Sequence, residues 1–526
     1  MYQLAQKNIH AFSKLLDKSI LTQSLIGLEK ETLRVNHEGG LAQTPHPDSL
    51  GAALTHPHIT TDYSEALLEI VTPPFTKTAQ VLDFLHDTQH FIYNNLRGEL
   101  LWATSMPCVV AGETSIPLAK YGLSNSGTMK TVYRRGLGHR YGRVMQVIAG
   151  VHFNFSFTDD FWTRFLSTTD NKTANRQDAI SEQYFSLLRN LQRFGWLIPY
   201  LFGASPAVCK SFLQGKETTL LPFNDTTFYE PYATSLRMGD IGYQNNKESE
   251  VGVVADYNSL EKYIDSLQHA VETPCPEYEK IGLQVEGKYQ QLNTNILQIE
   301  NEYYSTVRPK QITNKNEMPM EALRERGVKY VELRSLDVNA SHPLGVNEEQ
   351  LNFLEAFMLF CLFHESPQIN NAEQKEIDRN EMLTAHQGRD PDLKLMRNGE
   401  ALSIKEWGGE VLQQMQGVSA LLDDAYETSD YSDSLNKQKQ AVENPDLTPS
   451  AKMLVEMREN GEGFYQYAMR MSKKHHQEFL NNDLTDTKKR FFTDLSKTSL
   501  DKQHQLEAED TLPFPLFLEK YFSKSL

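Results

Sequence analysis

The sequence predicts an α+β fold, and three observations carry that prediction. Apolar and polar residues alternate cleanly over 27–35 and 151–157, the period of half-buried strands. Helical patterns run through 78–96 and 175–202. Strands and helices are interspersed without the regular spacing of βαβ units, which argues against a doubly wound parallel sheet.

Taken in order, residues 1–25 read as helix and 26–75 as strands and turns. Gly39-Gly40 turns the chain after the first strand, and Pro73-Pro74 closes the stretch. A helix follows over 78–96. Residues 100–158 read as Gly- and Ser-bearing loops leading into a strand. On that strand Val151, Phe153, Phe155 and Phe157 share one face, and His152, Asn154 and Ser156 the other. One long amphipathic helix is expected over 175–202, and strands over 290–304 and 329–338. The apolar run 357–363 falls far short of the ~20 residues of a spanning helix and reads as a buried helix. From about 366 onward apolar residues thin out. The pattern there predicts surface helices packed on the core, with polar linkers near 425–440.

Composition narrows the function classes. The 526 residues allow a large core and one to three domains. A formal charge of −17 disfavours nucleic acid and anionic membrane surfaces as partners. Lys7, Lys14 and Lys18 are spread through an amphipathic N-terminus that lacks a compact apolar stretch, so no signal peptide is expected. Cys108, Cys209, Cys275 and Cys361 are scattered, with no C-x-x-C. A reduced cytosolic chain is the simpler expectation, with Cys209 a plain buried thiol.

The chemistry concentrates in acidic strands. In Gly27-Leu-Glu-Lys-Glu-Thr-Leu-Arg-Val35, Glu29 and Glu31 share a face. Two carboxylates ~5 Å apart repel by about 3 kcal/mol at an effective dielectric near 20. Such a pair persists on a wet face, with one group protonated, or around a cation. Asp62 and Glu69 form a second acidic cluster, and Glu332 and Arg334 share a face of a later strand. His152 stands on the polar face of its own. Singly, each motif is more often a solvated face or an ion pair than a ligand. Together, Glu29, Glu31, Asp62, Glu69, His152 and Glu332 are mostly hard oxygen donors, which suit Mg²⁺ or Mn²⁺ better than zinc. Arg334 would suit a phosphoryl group. No G-x-x-x-x-G-K-[ST] loop is present, and Gly136-Leu-Gly138-His-Arg-Tyr-Gly142 misses the dinucleotide spacing.

These residues sit in motifs that resemble the proteobacterial glutamate–cysteine ligases. The resemblance includes Thr60-Thr-Asp-Tyr-Ser-Glu-Ala-Leu-Leu-Glu69, Tyr121-Gly-Leu-Ser-Asn-Ser-Gly127, Gly150-Val-His-Phe-Asn-Phe-Ser156, Pro231-Tyr-Ala-Thr-Ser-Leu-Arg237 and Val331-Glu-Leu-Arg-Ser-Leu-Asp337. It runs over roughly 20–365 and thins beyond, touching 443–448 and 512–522. It implies a fold like glutamine synthetase: a curved, mainly antiparallel sheet forming a funnel with helices outside. It divides the chain into a catalytic core over 1–365 and a polar, mostly helical region over 366–526. The implied reaction joins L-glutamate to L-cysteine at the expense of ATP, through γ-glutamyl phosphate, in the cytoplasm, by a monomer. Only this first step of glutathione synthesis is expected, because no second ligase domain follows.

By the same resemblance Glu29, Glu31, Asp62, Glu69, His152 and Glu332 hold the metals and Arg334 steadies the phosphoryl group. Arg237 binds glutamate, with Gln146 and Ile148 near it or near cysteine. Tyr63, Tyr133, Tyr243 and Tyr304 line the cysteine pocket. The family often has Phe where Tyr63 stands, which makes that wall more polar here. Three rivals are weighed against this reading: a ligase with another amine acceptor, a two-carboxylate glycosidase, and a non-catalytic divalent-ion binder.

Overall fold

Alternation organises a seven-stranded antiparallel sheet. The computed structural model describes residues 3–15, 17–168, 175–242, 253–481 and 483–524. The strands are β1 (Leu25–Val35), β2 (Ile59–Thr61), β3 (Leu67–Val71), β4 (Leu100–Leu101), β5 (Val151–Ser156), β6 (Val307–Lys310) and β7 (Tyr330–Leu336). Their order is β6-β7-β5-β1-β3-β2, with β4 on the end of β1. Leu28, Phe153 and Leu333 align across three strands on the apolar face, each 1% exposed or less. The opposite face carries the acids.

The helices used below are α1 (Gln3–Ser13), α2 (Thr78–Asn95), α3 (Asn125–Tyr141), α4 (Arg176–Phe194), α5 (Leu197–Phe202), α6 (Pro319–Arg326), α7 (Glu348–Phe363), α8 (Asn371–Gln387), α9 (Ile404–Tyr426), α10 (Asp430–Glu443), α11 (Phe464–Leu480), α12 (Asp486–Glu509) and α13 (Phe514–Phe522). The apolar run expected to be a buried helix is α7, whose residues 350–363 are all buried. It packs against α1, α2, α4, α9 and α10.

Several expectations need correction. The first helix ends at Ser13, and only a short 3₁₀ turn follows at Ser19–Leu21. The helix expected over 175–202 breaks at Gly195-Trp196 into α4 and α5. The stretch 290–304 is irregular, with one 3₁₀ turn at Glu300–Glu302. Residues 425–440 are no linker: Tyr431, Leu435 and Gln438 are buried on α10.

The largest miss is α3, seventeen residues inside a stretch read as loop. Gly127, Gly136 and Gly138 weaken its helical signal, yet packing requires them. A Cβ there would lie 2.1 Å from Tyr121 O, 2.2 Å from Gln298 Oε1 and 2.4 Å from the Tyr63 hydroxyl. Ser124 caps the helix by accepting from Gly127 N. Arg140 then locks α3 to the irregular stretch: it donates to Glu302 Oε1 at 2.8 Å and to Gln291 Oε1 at 2.8 and 3.0 Å. Tertiary hydrogen bonding of buried Gln291, Gln298 and Glu302 holds that stretch where strand pairing does not.

Cys108 and Cys209 are joined as a disulfide, contrary to the reduced chain expected, while Cys275 and Cys361 are free and buried. Scattered spacing carries no sign of this pairing. The fold brings the two Cα atoms to 5.3 Å, and Ser211 Oγ donates to Cys108 O at 2.7 Å beside the bridge.

One buried polar cluster fastens the C-terminal helices. Glu355 of α7 accepts from Tyr431 at 2.6 Å and lies 3.1 Å from the Tyr426 hydroxyl, which also reaches Thr76 O at 3.1 Å. Burial raises the Glu355 carboxyl to about 7 despite both tyrosines. Tyr431→Phe is expected to cost about 1–3 kcal/mol by stripping a donor from a buried carboxylate. Its denaturation midpoint should fall accordingly; an unchanged midpoint would show that the cluster does not fasten α10.

Candidate active site

Antiparallel register gathers the acidic face. Glu29 of β1 stands opposite His152 of β5, and Glu31 opposite Glu69 of β3. Asn154 of β5 stands opposite Glu332 of β7, and Glu332 opposite Arg308 of β6. Directly paired residues share a face. Residues from 29 to 332 therefore meet on one patch, and Asp62 joins it just beyond β2.

The centre is an imidazole among carboxylates. His152 Nδ1 lies 3.1 Å from Glu29 Oε2 and 3.3 Å from Glu332 Oε1, and Nε2 lies 3.8 Å from Glu31 Oε1. Asn154 Nδ2 donates to Glu29 Oε1 at 3.0 Å, and Gly150 N to Glu31 Oε2 at 2.7 Å. Arg334 NH1 donates to Glu332 Oε1 at 2.8 Å, with Lys310 Nζ 3.3 Å from Glu332 Oε2. Glu29, His152 and Glu332 each offer a donor atom, all within 4.8 Å of one another, which suits a single cation.

Charge sets the protonation of this cluster. Burial works against ionised Glu332, but Lys310, Arg334 and His152 prevail and hold it well below the ordinary carboxylate range. Burial and Glu332 likewise push Glu29 up, yet His152 and Lys310 leave it lowered. Glu69 has no such relief: burial, then the charges of Glu29, Asp62 and Glu31, push it up to about 8. Burial and Arg334 oppose a charged His152, but hydrogen bonds to Glu29 and Glu332 and the Glu31 charge raise it to about 9. The imidazolium thus serves as a resident cation.

A cavity of about 510 Å³ opens over this patch. Of the residues singled out in sequence, Glu29, Glu31, Asp62, Glu69, His152, Glu332, Arg334, Arg237, Gln146, Tyr63, Tyr133 and Tyr304 all line it. Ile148 does not: it is fully buried in the core behind. Tyr243 lies outside the described residues. Tyr63 lines the cavity, and its hydroxyl is buried close to Gly138 with no hydrogen-bond partner among the described residues. Sequence reading passed over Lys310, Arg308, Lys130 and Arg134, four cations of the lining. For the two on β6, strand period would have sufficed, since both fall on the acidic face.

Arg237 is held rigidly. Its NH2 donates to Arg334 O at 2.8 Å and its NH1 lies 3.7 Å from Asp337. Asp337 in turn accepts from Ser235 Oγ at 2.9 Å and Ala204 N at 2.8 Å. A Cβ at Gly150 would lie 2.1 Å from Arg237 NH2, so only glycine leaves that space. Arg237 Nε and Arg334 Nε are buried without a hydrogen-bond partner among the described residues, as expected of donors kept for an anion. A second cavity of about 200 Å³ flanks edge strand β6. It shares Arg308 and Lys310 with the first and is lined by Leu267, Met320, Leu323 and Tyr330.

Known proteins match this chain throughout. Residues 9–383 match the glutamate-cysteine ligase family. A glutamate–cysteine ligase of Alcanivorax borkumensis is 46% identical over 98% of this chain and 99% of its own length. One from Pseudomonas putida is 46% identical over 95% of each. The crystal structure of a glutamate–cysteine ligase from Francisella tularensis in complex with AMP superposes with a TM-score of 0.89, at 35% identity, covering 96% of this chain and 98% of that one. A bifunctional glutathione synthetase from Pasteurella multocida shares the fold, with a TM-score of 0.73 at 22% identity over 94% of this chain and 58% of that one. The α+β architecture is that of an ATP-dependent ligase. The chain belongs to the glutamate–cysteine ligase family.

Two raised groups give this site a pH response of its own in the metal-free protein. Glu69 keeps its proton to about 8 in the folded state against 4.5 ordinarily, and His152 to about 9 against 6.5. These two groups therefore hold more protons folded than unfolded between 4.5 and 9, and their contribution to stability falls as pH rises through that window. Between about pH 6 and about pH 9, chelated Glu69→Gln should lose less stability than the unaltered chelated protein. The same change in melting temperature with pH in both would overturn the assignment.

Proposed function

We propose that this chain joins the γ-carboxylate of L-glutamate to the amine of L-cysteine, with ATP converted to ADP and phosphate, as the first step of glutathione synthesis. The observation that carries the reading is a buried acidic centre flanked by fixed cations, in a chain of the glutamate–cysteine ligase family.

The reaction must bring a triphosphate and a carboxylate together although both are anions. Glu29, Glu31, Asp62, Glu69, His152 and Glu332 would hold Mg²⁺ or Mn²⁺; three of them already offer donor atoms within 4.8 Å. Bound there, the divalent ions would supply charge neutralisation of the phosphates. Arg334, anchored on Glu332, would meet the transferring phosphoryl group through its guanidinium. Lys310 and Arg308, shared by the two cavities, suit the remaining phosphate oxygens, and the apolar walls beside β6 suit a nucleotide base. Arg237 would grip the α-carboxylate of glutamate and Gln146 its neighbourhood. Tyr63, Tyr133 and Tyr304 would form the walls for cysteine. Phosphoryl transfer yields γ-glutamyl phosphate; the cysteine amine attacks its carbonyl, and phosphate leaves. No protein nucleophile is needed.

Residues 1–365 form the catalytic core on this reading, with 366–526 buttressing it, and the enzyme works as a cytoplasmic monomer. No helix among the described residues is long and apolar enough to cross a membrane. A ligase with a different amine acceptor is the nearest rival, and acceptor scanning separates the two.

ADP release with glutamate and Mg²⁺ should be strongest with cysteine among amino-acid acceptors, and chelation should abolish it. Glu29→Gln and Glu332→Gln should each lower turnover at least tenfold, about 1.4 kcal/mol or more. Unchanged turnover in both would refute the metal assignment. Arg237→Ala should raise the KM for glutamate; an effect confined to ATP would show the residue misassigned.

A further inference from the structure

A late segment of the chain contributes to the cavity wall. Phe517 and Tyr521, on the short helix α13, line the cavity together with the acidic sheet face, 5% and 8% exposed. Nothing in the reaction chemistry calls on these two rings, and they lie more than 200 residues from β5, β1 or β3 in sequence.

The segment is fixed at both banks of the funnel. On one bank, the Asp510 carboxylate accepts from the backbone N–H of Asn125, at the first turn of α3, and from Asn125 Nδ2 at 2.6 Å. Asn125 Nδ2 also donates to Leu512 O at 2.8 Å, and Leu123 N to Glu507 Oε1 at 2.8 Å. The Phe514 ring meets Tyr289 edge-on with centroids 5.2 Å apart. On the other bank, Lys524 lies 2.6 Å from Glu321 of α6. The helix therefore spans from α3, which carries Lys130 and Tyr133 into the cavity, to the segment around α6. Four of its nine residues are Phe or Tyr, and their bulk turns inward.

We infer that α13 is the water-excluding wall of the reaction chamber, with Phe517 and Tyr521 as positioning residues that confine the acyl phosphate until the amine attacks. This rests on the ligase reading above. An acyl phosphate is open to two nucleophiles. Attack by the cysteine amine forms the C–N bond, breaks the C–O bond to phosphate and gives product. Attack by water breaks the same bond and regenerates glutamate and phosphate, so ATP is hydrolysed with nothing joined. Closing the site against solvent is what separates these outcomes. The sheet face, α3 and residues 299–304 and 313–317 supply most of the other lining, and Phe517 and Tyr521 of α13 add an aromatic wall.

The test is the ratio of ADP released to γ-glutamyl amide formed, measured on the full-length protein with glutamate, cysteine and Mg²⁺. The unaltered chain should give a ratio near one. Phe517→Ala combined with Tyr521→Ala should raise it at least about threefold. Asn125→Ala, which removes two side-chain hydrogen bonds holding the strap to α3 without altering the cavity lining, should raise it too. Leucine at 517 and 521 restores bulk and should bring the ratio back toward one, which loss of fold would not do. A ratio near one in both the double alanine variant and Asn125→Ala, each with an unshifted melting temperature, would overturn the inference. An unaltered chain that releases no ADP would refute the ligase reading instead.

Discussion

Five carboxylates and one imidazole crowd one face of a sheet, and their mutual repulsion is the constraint to which the surrounding structure answers. Unrelieved, each close pair costs about 3 kcal/mol at ~5 Å and an effective dielectric near 20. The fold relieves it in three ways at once. Lys310 and Arg334 bracket Glu332. His152 carries a proton between Glu29 and Glu332. Glu69, for which the His152 charge does not outweigh burial and the neighbouring acids, keeps its own proton. Each is a partial substitute for a divalent ion. If Glu69 and His152 ligate such an ion, as proposed, they would give up protons on its arrival, linking metal binding to proton release.

The opposite face shows what this arrangement asks of the core. Lys30, between Glu29 and Glu31 in sequence, points the other way and is 4% exposed. Among the described residues its Nζ meets only Gln89 Oε1 at 2.6 Å and Pro343 O at 3.4 Å, with no carboxylate, and burial lowers it to about 7. The strand thus keeps acids and amine on separate faces, where they cannot neutralise one another. Were Lys30 on the acidic face, it would hold the carboxylates as fixed ion pairs and compete with any exchangeable cation.

Strand period made much of this centre legible in the sequence. Glu29, Glu31, His152, Glu332 and Arg334 were found because period-2 alternation states which side chains share a face, and register needs only that the faces align. Asp62 and Glu69 stood out as a second acidic cluster, whereas Arg237 and the tyrosines rested on family motifs. What escaped did so for identifiable reasons. Helix α3 hides because Gly127, Gly136 and Gly138 are poor helix formers that packing against Tyr121, Gln298 and Tyr63 demands. The stretch 290–304 looked like a strand because it is apolar and polar by turns, but Arg140, Gln291 and Glu302 hold it by tertiary hydrogen bonds. The Cys108–Cys209 pairing and the return of α13 to the cavity join residues far apart in sequence, which local pattern does not encode.

A sheet face also decides how phosphate can be met. In an interior strand such as β5 or β1, backbone N–H groups are spent on the neighbouring strands, so none is free to cradle an oxyanion as a glycine-rich loop at a helix N-terminus does. Only side chains and bound ions remain. Guanidinium and ammonium groups alone would have to neutralise the resident acids before they could serve an incoming anion, and Arg334 and Lys310 are already drawn to Glu332. A site of this kind therefore needs exchangeable divalent charge in addition to fixed charge. On the ligase reading, that requirement would account for carboxylates being concentrated where an anionic substrate has to enter, with a cation of higher charge between the two.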